Sequence, residues 1–527
     1  MVRSEKQRGL QLKKVLRGGA MFSAGDLGAR FLQFIIGVAV IRFLLPKQYG
    51  LLTLALTITS VAAVFSTLGF STGLPRFVAI YQQRRSQEAV LGVGIIALVV
   101  AVMAAILVTG MLFLGSERLA ASVNKLDLGW VLGVTLLSVP ASVAISTLSA
   151  IFRGMENARA KVLFEDIGLN LSRALLLVPI MALSWGLDAL VWVYVVGAWL
   201  ACLIYGLYFL REFLGVKFAL SPRVAARLSG RLVVFSFPLF GAAVMGNIMN
   251  WAGPLALGYA STVEQLGYFN PALRVAGLLT FPLSAMVFLY LPMATKLASE
   301  GSLEELQALY TSITKWSFFI SVPLVLYILF EAELVVRGLF GDAYGEVADV
   351  LRILIVGFSV NSLLGPNGMT LVALGYSRAI FVGSVIGVVS TIVLCIVLVV
   401  PLGAVGAGIG TGVGLAVGNI FNSAMLYART GIHPFAREYI KPLLLVLLSS
   451  IGVALTLDPS EARSLWIHLW LPWACVLITL AAPLVTKTVT EVDLDVLRSV
   501  EWKLTGRNWI TDRLGWAARS STKVIGA

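Results

Sequence analysis

Residues Arg17–Gly50 read RGGAMFSAGDLGARFLQFIIGVAVIRFLLPKQYG. The segment is apolar over the length of about 20 residues that a helix needs to cross a bilayer. Yet Asp26, Arg30 and Gln33 stand four and then three residues apart, on one stripe of that helix. A charge near the bilayer centre costs at least about 2.5–3.5 kcal/mol, so by default it faces a bundle interior or a wet cavity. Such a helix cannot stand alone in lipid, and the remaining chain must supply its neighbours.

It does so in quantity. Of 527 residues, 58% are hydrophobic and only 13% charged, and mean hydropathy is +0.91; a soluble domain carries about 25% charged residues. Fourteen continuous apolar segments follow one another, at about 19–44, 51–74, 89–114, 128–152, 162–184, 187–210, 232–259, 267–292, 316–335, 347–374, 379–400, 403–428, 442–458 and 465–486. The pattern predicts an all-α polytopic membrane protein; a transmembrane barrel shows shorter, alternating segments. Of the 40 Lys and Arg, thirty fall on the side of the two termini and five in the alternate loops. The bias predicts a cell-membrane protein with both termini cytoplasmic. The net charge of +13 follows this sidedness and does not predict nucleic-acid binding. The three cysteines, Cys202, Cys395 and Cys475, lie in apolar runs, and the two histidines stand apart, so neither a disulfide framework nor a metal centre is implied. The basic, then apolar, N-terminus is too long and too charged for a signal peptide and reads as a retained first span.

An offset of 217 residues superimposes landmarks of one half on the other: Gly50 on Gly267, Pro75 on Pro292, Gly186 on Gly403, and Arg30 with Gln33 on Asn247 with Asn250. Six spans separate the copies, so the repeats run parallel, two six-helix lobes about an axis along the membrane normal. Transporters with a site between two repeats are built this way. The expected divisions are a basic N-terminus 1–18, an N-lobe 19–210, a linker 211–231, a C-lobe 232–428, two further spans in 429–486 and a basic tail 487–527. The stretch SLEELQALYTSI, 302–313, reads as an amphipathic helix on the inner surface.

Polar residues at membrane depth are the candidate site. Two readings stay open for Arg30: an ion pair with Asp26 sealed between helices, or a cation lining a cavity, with Asp26 as counter-charge or as acceptor for a proton or sodium ion. Arg274 stands beside Asn270 and Pro271, where the proline frees a carbonyl and permits a bend. Asn247 and Asn250 are either interhelical glue or site-lining. Arg173 shares a stripe with Asp166 and Asn170; Asp166 is the second coupling candidate, although it and Glu165 are near enough to the interface to snorkel. The glycines 406, 410, 414 and 418 sit inside an apolar span and predict a helix-packing ridge, not a phosphate loop. No nucleophile–base pair and no nucleotide motif is present, so no enzyme or ATP-driven pump is expected.

The segments GGAMFSAGDLGARFLQFIIGVAVIRFLLPKQYGLLTLALTI, STLGFSTGLPRFVA, FSFPLFGAAVMGNIMNWAGPLALGY and EQLGYFNPALR resemble the polysaccharide export, or lipid-linked oligosaccharide flippase, branch of the multidrug/oligosaccharidyl-lipid/polysaccharide exporter superfamily. The run RFLLPKQYG, Arg42 to Gly50, follows the family pattern with a leucine replacing the usual glycine. The resemblance implies a central, often cationic cavity and alternating access driven by an ion gradient, with no cofactor beyond a coupled proton or sodium ion. The implied partners are a polyprenyl-linked oligosaccharide, membrane lipids and other glycan-assembly proteins. Arg30 and Arg274 match by position the arginines that related lipid II flippases place at their cavity. A multidrug exporter of the same fold is the alternative, and a glycan ligase or polymerase a more distant one, since every outer loop is short.

Overall fold

The computed structural model describes residues 25, 28–84, 86–216 and 222–435, with isolated positions at 441, 444, 448 and 477. Asp26, the segments 442–458 and 465–486 and the tail lie outside the described residues. Among the described residues all regular structure is helical and no strand occurs. Seven helical stretches there are long and apolar enough to cross a membrane, and the bent pair Gly230–Gly241 and Ala243–Ala260 makes eight.

Helix α1 covers 28–43 and stops before Pro46, which opens α2 (Pro46–Ser66) at the position where a missing N–H costs nothing. The Leu45 N–H donates to Gln48 Oε1 at 3.2 Å and pins this start. Leu68 and Gly69, both at positive φ, turn the chain into α3 (Phe70–Gln83). Ser86 caps α4 (Gln87–Ser122), accepting from the Ala89 N–H. Then come α5 (Asp127–Leu136), α6 (Val139–Gly154), the single turn α7 (Ala158–Ala160), a π-helix (Lys161–Gly168), α8 (Leu169–Ala182), α9 (Leu187–Glu212) and α10 (Pro222–Ala260). The second half holds α11 (Val263–Ala276), α12 (Thr280–Glu300), α13 (Leu303–Phe340), α14 (Val347–Leu364), α15 (Asn367–Ala373) and α16 (Ser377–Thr430), the last broken at Gly403.

The chain forms two compact units. The first takes in the described residues of Met1–Pro271 together with Val399–Ala407. Its tightest joint is where the starts of α2 and α11 meet. A Cβ on Gly50 would lie 1.9 Å from the Val263 carbonyl oxygen, and one on Gly267 would lie 2.0 Å from the Pro46 carbonyl oxygen. Gly50 and Gly267 are 217 residues apart, and so are Pro46 and Val263. The two repeats therefore cross reciprocally, each setting its glycine on the backbone of the other's first turn, an approach only glycine permits. Around this joint the Ala404 N–H donates to Gln265 Oε1 at 2.7 Å, with Gly403 at φ +55 beside it. Trp251 Nε1 donates to Ser60 Oγ at 2.9 Å. The Lys125 ammonium donates to the Gly258 carbonyl, and burial there pushes its pKa below the ordinary lysine value.

The second unit takes in Ala272–Leu398 and the described residues of Gly408–Ala527. Here 302–313 departs from expectation. Instead of lying on a membrane surface it forms the first turns of the 38-residue α13. Its apolar stripe, Leu306, Leu309, Tyr310 and Ile313, is buried with Tyr290, Leu371, Leu426 and Ile432. The Tyr310 hydroxyl donates to the Leu364 carbonyl at 2.5 Å, beside Gly365, whose positive φ separates α14 from α15. The glycine ridge behaves as its spacing predicts. Cβ atoms at Gly410, Gly414 and Gly418 would lie 2.7 Å from Cys395 Sγ, 1.9 Å from Thr391 Oγ1 and 3.1 Å from the Gly383 carbonyl oxygen, so it packs the two halves of α16 together.

A methyl at either crossing glycine meets a backbone oxygen that no rotamer change can move. Gly50→Ala and Gly267→Ala should each cost about 1–3 kcal/mol, read as a lower thermal midpoint of the purified protein. Gly110→Ala is the control: a Cβ there meets nothing within 4 Å, and the midpoint should hold or rise.

Candidate substrate and coupling site

Seven of the nine candidate residues lie in the first unit and are described there: Arg30, Gln33, Asp166, Arg173, Asn247, Asn250 and Asn270. Arg274 belongs to the second unit, and Asp26 is outside the described residues. On α1 the buried stripe is Ala29, Gly37, Val40, Ile41 and Leu44, whereas Arg30 and Gln33 are exposed. Phe31 and Ile35 are exposed beside them. On α10, Asn250 is exposed, and half-buried Asn247 donates its amide to the Ala243 carbonyl one turn back at 2.8 Å. Asn270 does the same on α11, donating to the Leu266 carbonyl at 3.3 Å. Arg274 is half-buried one turn further along that helix. Such back-bonding satisfies the amide hydrogens inside an apolar helix and fixes the rotamer.

The stripe of Asp166, Asn170 and Arg173 divides. Arg173 turns to α9, where its guanidinium lies 5.0 Å from the centre of the Tyr194 ring, a cation–π arrangement. Gly197 makes room for its stem: a Cβ there would lie 2.9 Å from Arg173 Cγ. Arg173 Nε is buried with no acceptor among the described residues. Asp166 turns the other way. Both its oxygens take the Lys161 ammonium, at 2.9 and 3.0 Å, while Asn170 donates to the Asp166 backbone carbonyl at 2.7 Å.

Lys161 and Asp166 meet because of the local helix type. Residues five apart diverge on an α-helix but stack where the bonding is i→i+5, and Lys161–Gly168 is a π-helix. The same register keeps Glu165 within reach, 4.0 Å from Lys161 Nζ. Glu165 does not snorkel: it points inward, and the fully buried Ser149 on α6 donates to its Oε2. Around them stack aromatic rings, Phe164 on Tyr205 at 5.0 Å and Phe152 on Tyr205 at 5.5 Å. No group of His, Cys, Asp and Glu able to hold a metal ion occurs among the described residues.

The model of a family described as polysaccharide biosynthesis protein matches residues 15–298, more than half the chain. The chain belongs to this family. No curated protein matches it. Among solved structures it is similar to a lipid II flippase, MurJ, in an inward closed conformation, with a TM-score of 0.70, 13% identity and coverage of 88% of this chain and 98% of that one. It is also similar to an inward-facing multidrug resistance MATE family transporter, with a TM-score of 0.62, 17% identity and coverage of 78% and 98%. A transporter from Pyrococcus furiosus with a binding pocket of reversed polarity gives 0.52, 17%, 80% and 96%. The chain thus shares its fold with these proteins.

Lys161, Glu165, Ser149 and Tyr205 join Asp166 in this cluster, and none of the four is among the nine candidates of the sequence. The available signal was the run KVLFED, a lysine four and five residues before adjacent acids at the edge of an apolar span. Lys161→Met leaves two carboxylates facing each other without their cation and should cost about 3 kcal/mol. Adding Asp166→Asn should recover most of it, both read by thermal unfolding of the purified protein.

Proposed function

We propose that this transporter is a flippase that carries a polyprenyl-phosphate- or diphosphate-linked oligosaccharide from the cytoplasmic to the outer leaflet. The observation that carries the reading is membership of a polysaccharide biosynthesis family in a chain whose fold is that of transporters. The fold shared with a lipid II flippase supports it. So does the chemistry of the candidate residues. Arg30, exposed on an apolar helix, and Arg274 provide cations at membrane depth. A lipid-linked phosphate needs its charge met before it crosses a low-dielectric slab, and charge-assisted hydrogen bonds from arginine meet it. Gln33, Asn247, Asn250 and Asn270 hydrogen-bond sugar hydroxyls or phosphate oxygens, and Arg173 supplies a further cation. Opening to one side and then the other moves the headgroup while the polyprenyl tail stays in lipid. Moving one charge through 100 mV is worth about 2.3 kcal/mol, enough for the membrane potential to bias the cycle.

Multidrug export is the second reading, favoured by the fold shared with a MATE transporter. Arginines in the cargo's path would repel cationic drugs and attract anionic lipids, so cargo charge separates the two readings. In proteoliposomes, Arg30→Gln with Arg274→Gln should slow flipping of a fluorescent polyprenyl-diphosphate oligosaccharide at least tenfold. Unchanged flipping by the double variant, or cationic dye export by the wild type in place of lipid flipping, contradicts the proposal.

A further inference from the structure

Within the first unit α3 packs against α10, and the seam between them is shut. A Cβ on Gly69 would lie 2.3 Å from the Ser236 carbonyl oxygen, and one on Gly73 would lie 2.2 Å from Ser236 Oγ. One turn further along α3, aromatic rings bridge the two helices. Phe77 meets Phe235 edge-on at 5.4 Å, and the Arg76 guanidinium lies over the Phe235 ring, 4.7 Å from its centre. Arg76 is itself exposed. So are Arg84, eight residues on along the same stripe, and Arg231, one turn before Phe235 on α10. None of the three pairs with a carboxylate among the described residues. Arg153 of α6 also reaches α3, but it is committed: it donates to the Ser71 carbonyl, which Pro75 deprives of its helical N–H.

Arg76 and Arg231 flank one ring with no acid between them, and like charges so placed repel until an anion joins them. The posture of Arg76 says which anion. A guanidinium laid flat on an aromatic ring keeps its N–H edge free, and that planar fork matches two oxygens of a phosphate. The surface alongside says what the phosphate is attached to. Next to Arg231 on α10, Val234 and Phe237 are 75% and 68% exposed, an apolar surface suited to acyl chains. Asn250, the exposed polar candidate of the same helix, stands roughly half a turn round from these two. A headgroup held by Arg76 and Arg231 therefore lays its chains on the apolar face of α10, away from the candidate cargo residues. The shut seam gives it no way between the helices.

We propose that this face of α3 and α10 is a binding site for the phosphate headgroup of an anionic phospholipid of the surrounding membrane. Arg76 and Arg231 are its principal cations, Arg84 extends the row, and Phe235 is the platform that orients Arg76. The occupant is a resident lipid and not cargo, because the site opens on the apolar face of α10 and the glycine–serine seam behind it offers no passage. Bound there, the lipid neutralises a basic edge and ties α3 to α10. The site is independent of the cargo assignment, and each stands or falls separately.

The test uses the full-length protein in detergent micelles, with a fluorescent phosphatidylglycerol as the probe and no cargo present. The wild type should bind the probe saturably, and unlabelled phosphatidylglycerol should displace it where phosphatidylcholine does not. Arg76→Gln with Arg231→Gln should weaken binding at least about tenfold, the loss of two charge-assisted contacts. Phe235→Leu keeps every cation and removes only the platform under Arg76, and should weaken binding about threefold. Arg211→Gln is the control, an exposed arginine at the end of α9, and should leave binding unchanged. Equal displacement by phosphatidylcholine or undiminished binding by the double variant overturns the proposal. So does an equal loss in the Arg211 variant, which would mean diffuse basic charge and not a site. A polyprenyl phosphate that displaces the probe at far lower concentration than phosphatidylglycerol overturns it too, since the face would then receive cargo.

Discussion

The crossing of α2 and α11 is the constraint that the first unit is arranged around. Two helix starts, 217 residues apart in the chain, bring glycine against carbonyl twice, and neither contact tolerates one added carbon. The symmetry explains why the same landmarks recur in both repeats: each glycine faces the first residue of the other repeat's helix. It also explains the crowd of polar links nearby, Gln265 to the Ala404 N–H and Lys125 to the Gly258 carbonyl. Backbones in such close contact leave little room for water, so side chains must satisfy the N–H and carbonyl groups near the helix ends.

A different economy governs the polar residues inside the spans. Asn247 and Asn270 fold back on their own helices. Arg173 is carried by an aromatic ring. Lys161 answers Asp166 only because the helix widens there to the π form. Each device lowers the cost of a polar group at depth. Arg30 and Gln33 lie outside the buried stripe of α1, with Phe31 and Ile35 exposed beside them.

Much of this was legible in the sequence, and the failures have physical causes. The helical class follows from hydropathy, and the glycine ridge from its four-residue period. The repeat marked Gly50 and Gly267 as equivalent, but a repeat cannot reveal that equivalent residues touch the partner backbone. The 302–313 stretch misled because an apolar stripe looks the same whether it meets lipid headgroups or protein; Leu306 and Tyr310 meet protein. The stripe of Asp166, Asn170 and Arg173 assumed α spacing, and the π-turn begins just where Asp166 needs a partner. Pattern reading does not foresee that extra residue per turn, so it misses Lys161 as the partner of Asp166 and leaves both acids as interface charges.

The central claim is that this member of a polysaccharide biosynthesis family moves an anionic glycolipid and not a soluble drug. The most direct measurement is the lipid-linked oligosaccharide pool of cells lacking the protein, resolved by leaflet with a membrane-impermeant glycan-modifying probe. The account predicts that a polyprenyl-linked oligosaccharide accumulates out of reach of the external probe, and that restoring the chain returns it to the outer leaflet. A lipid pool unchanged in amount and sidedness, alongside altered retention of cationic drugs, would contradict it.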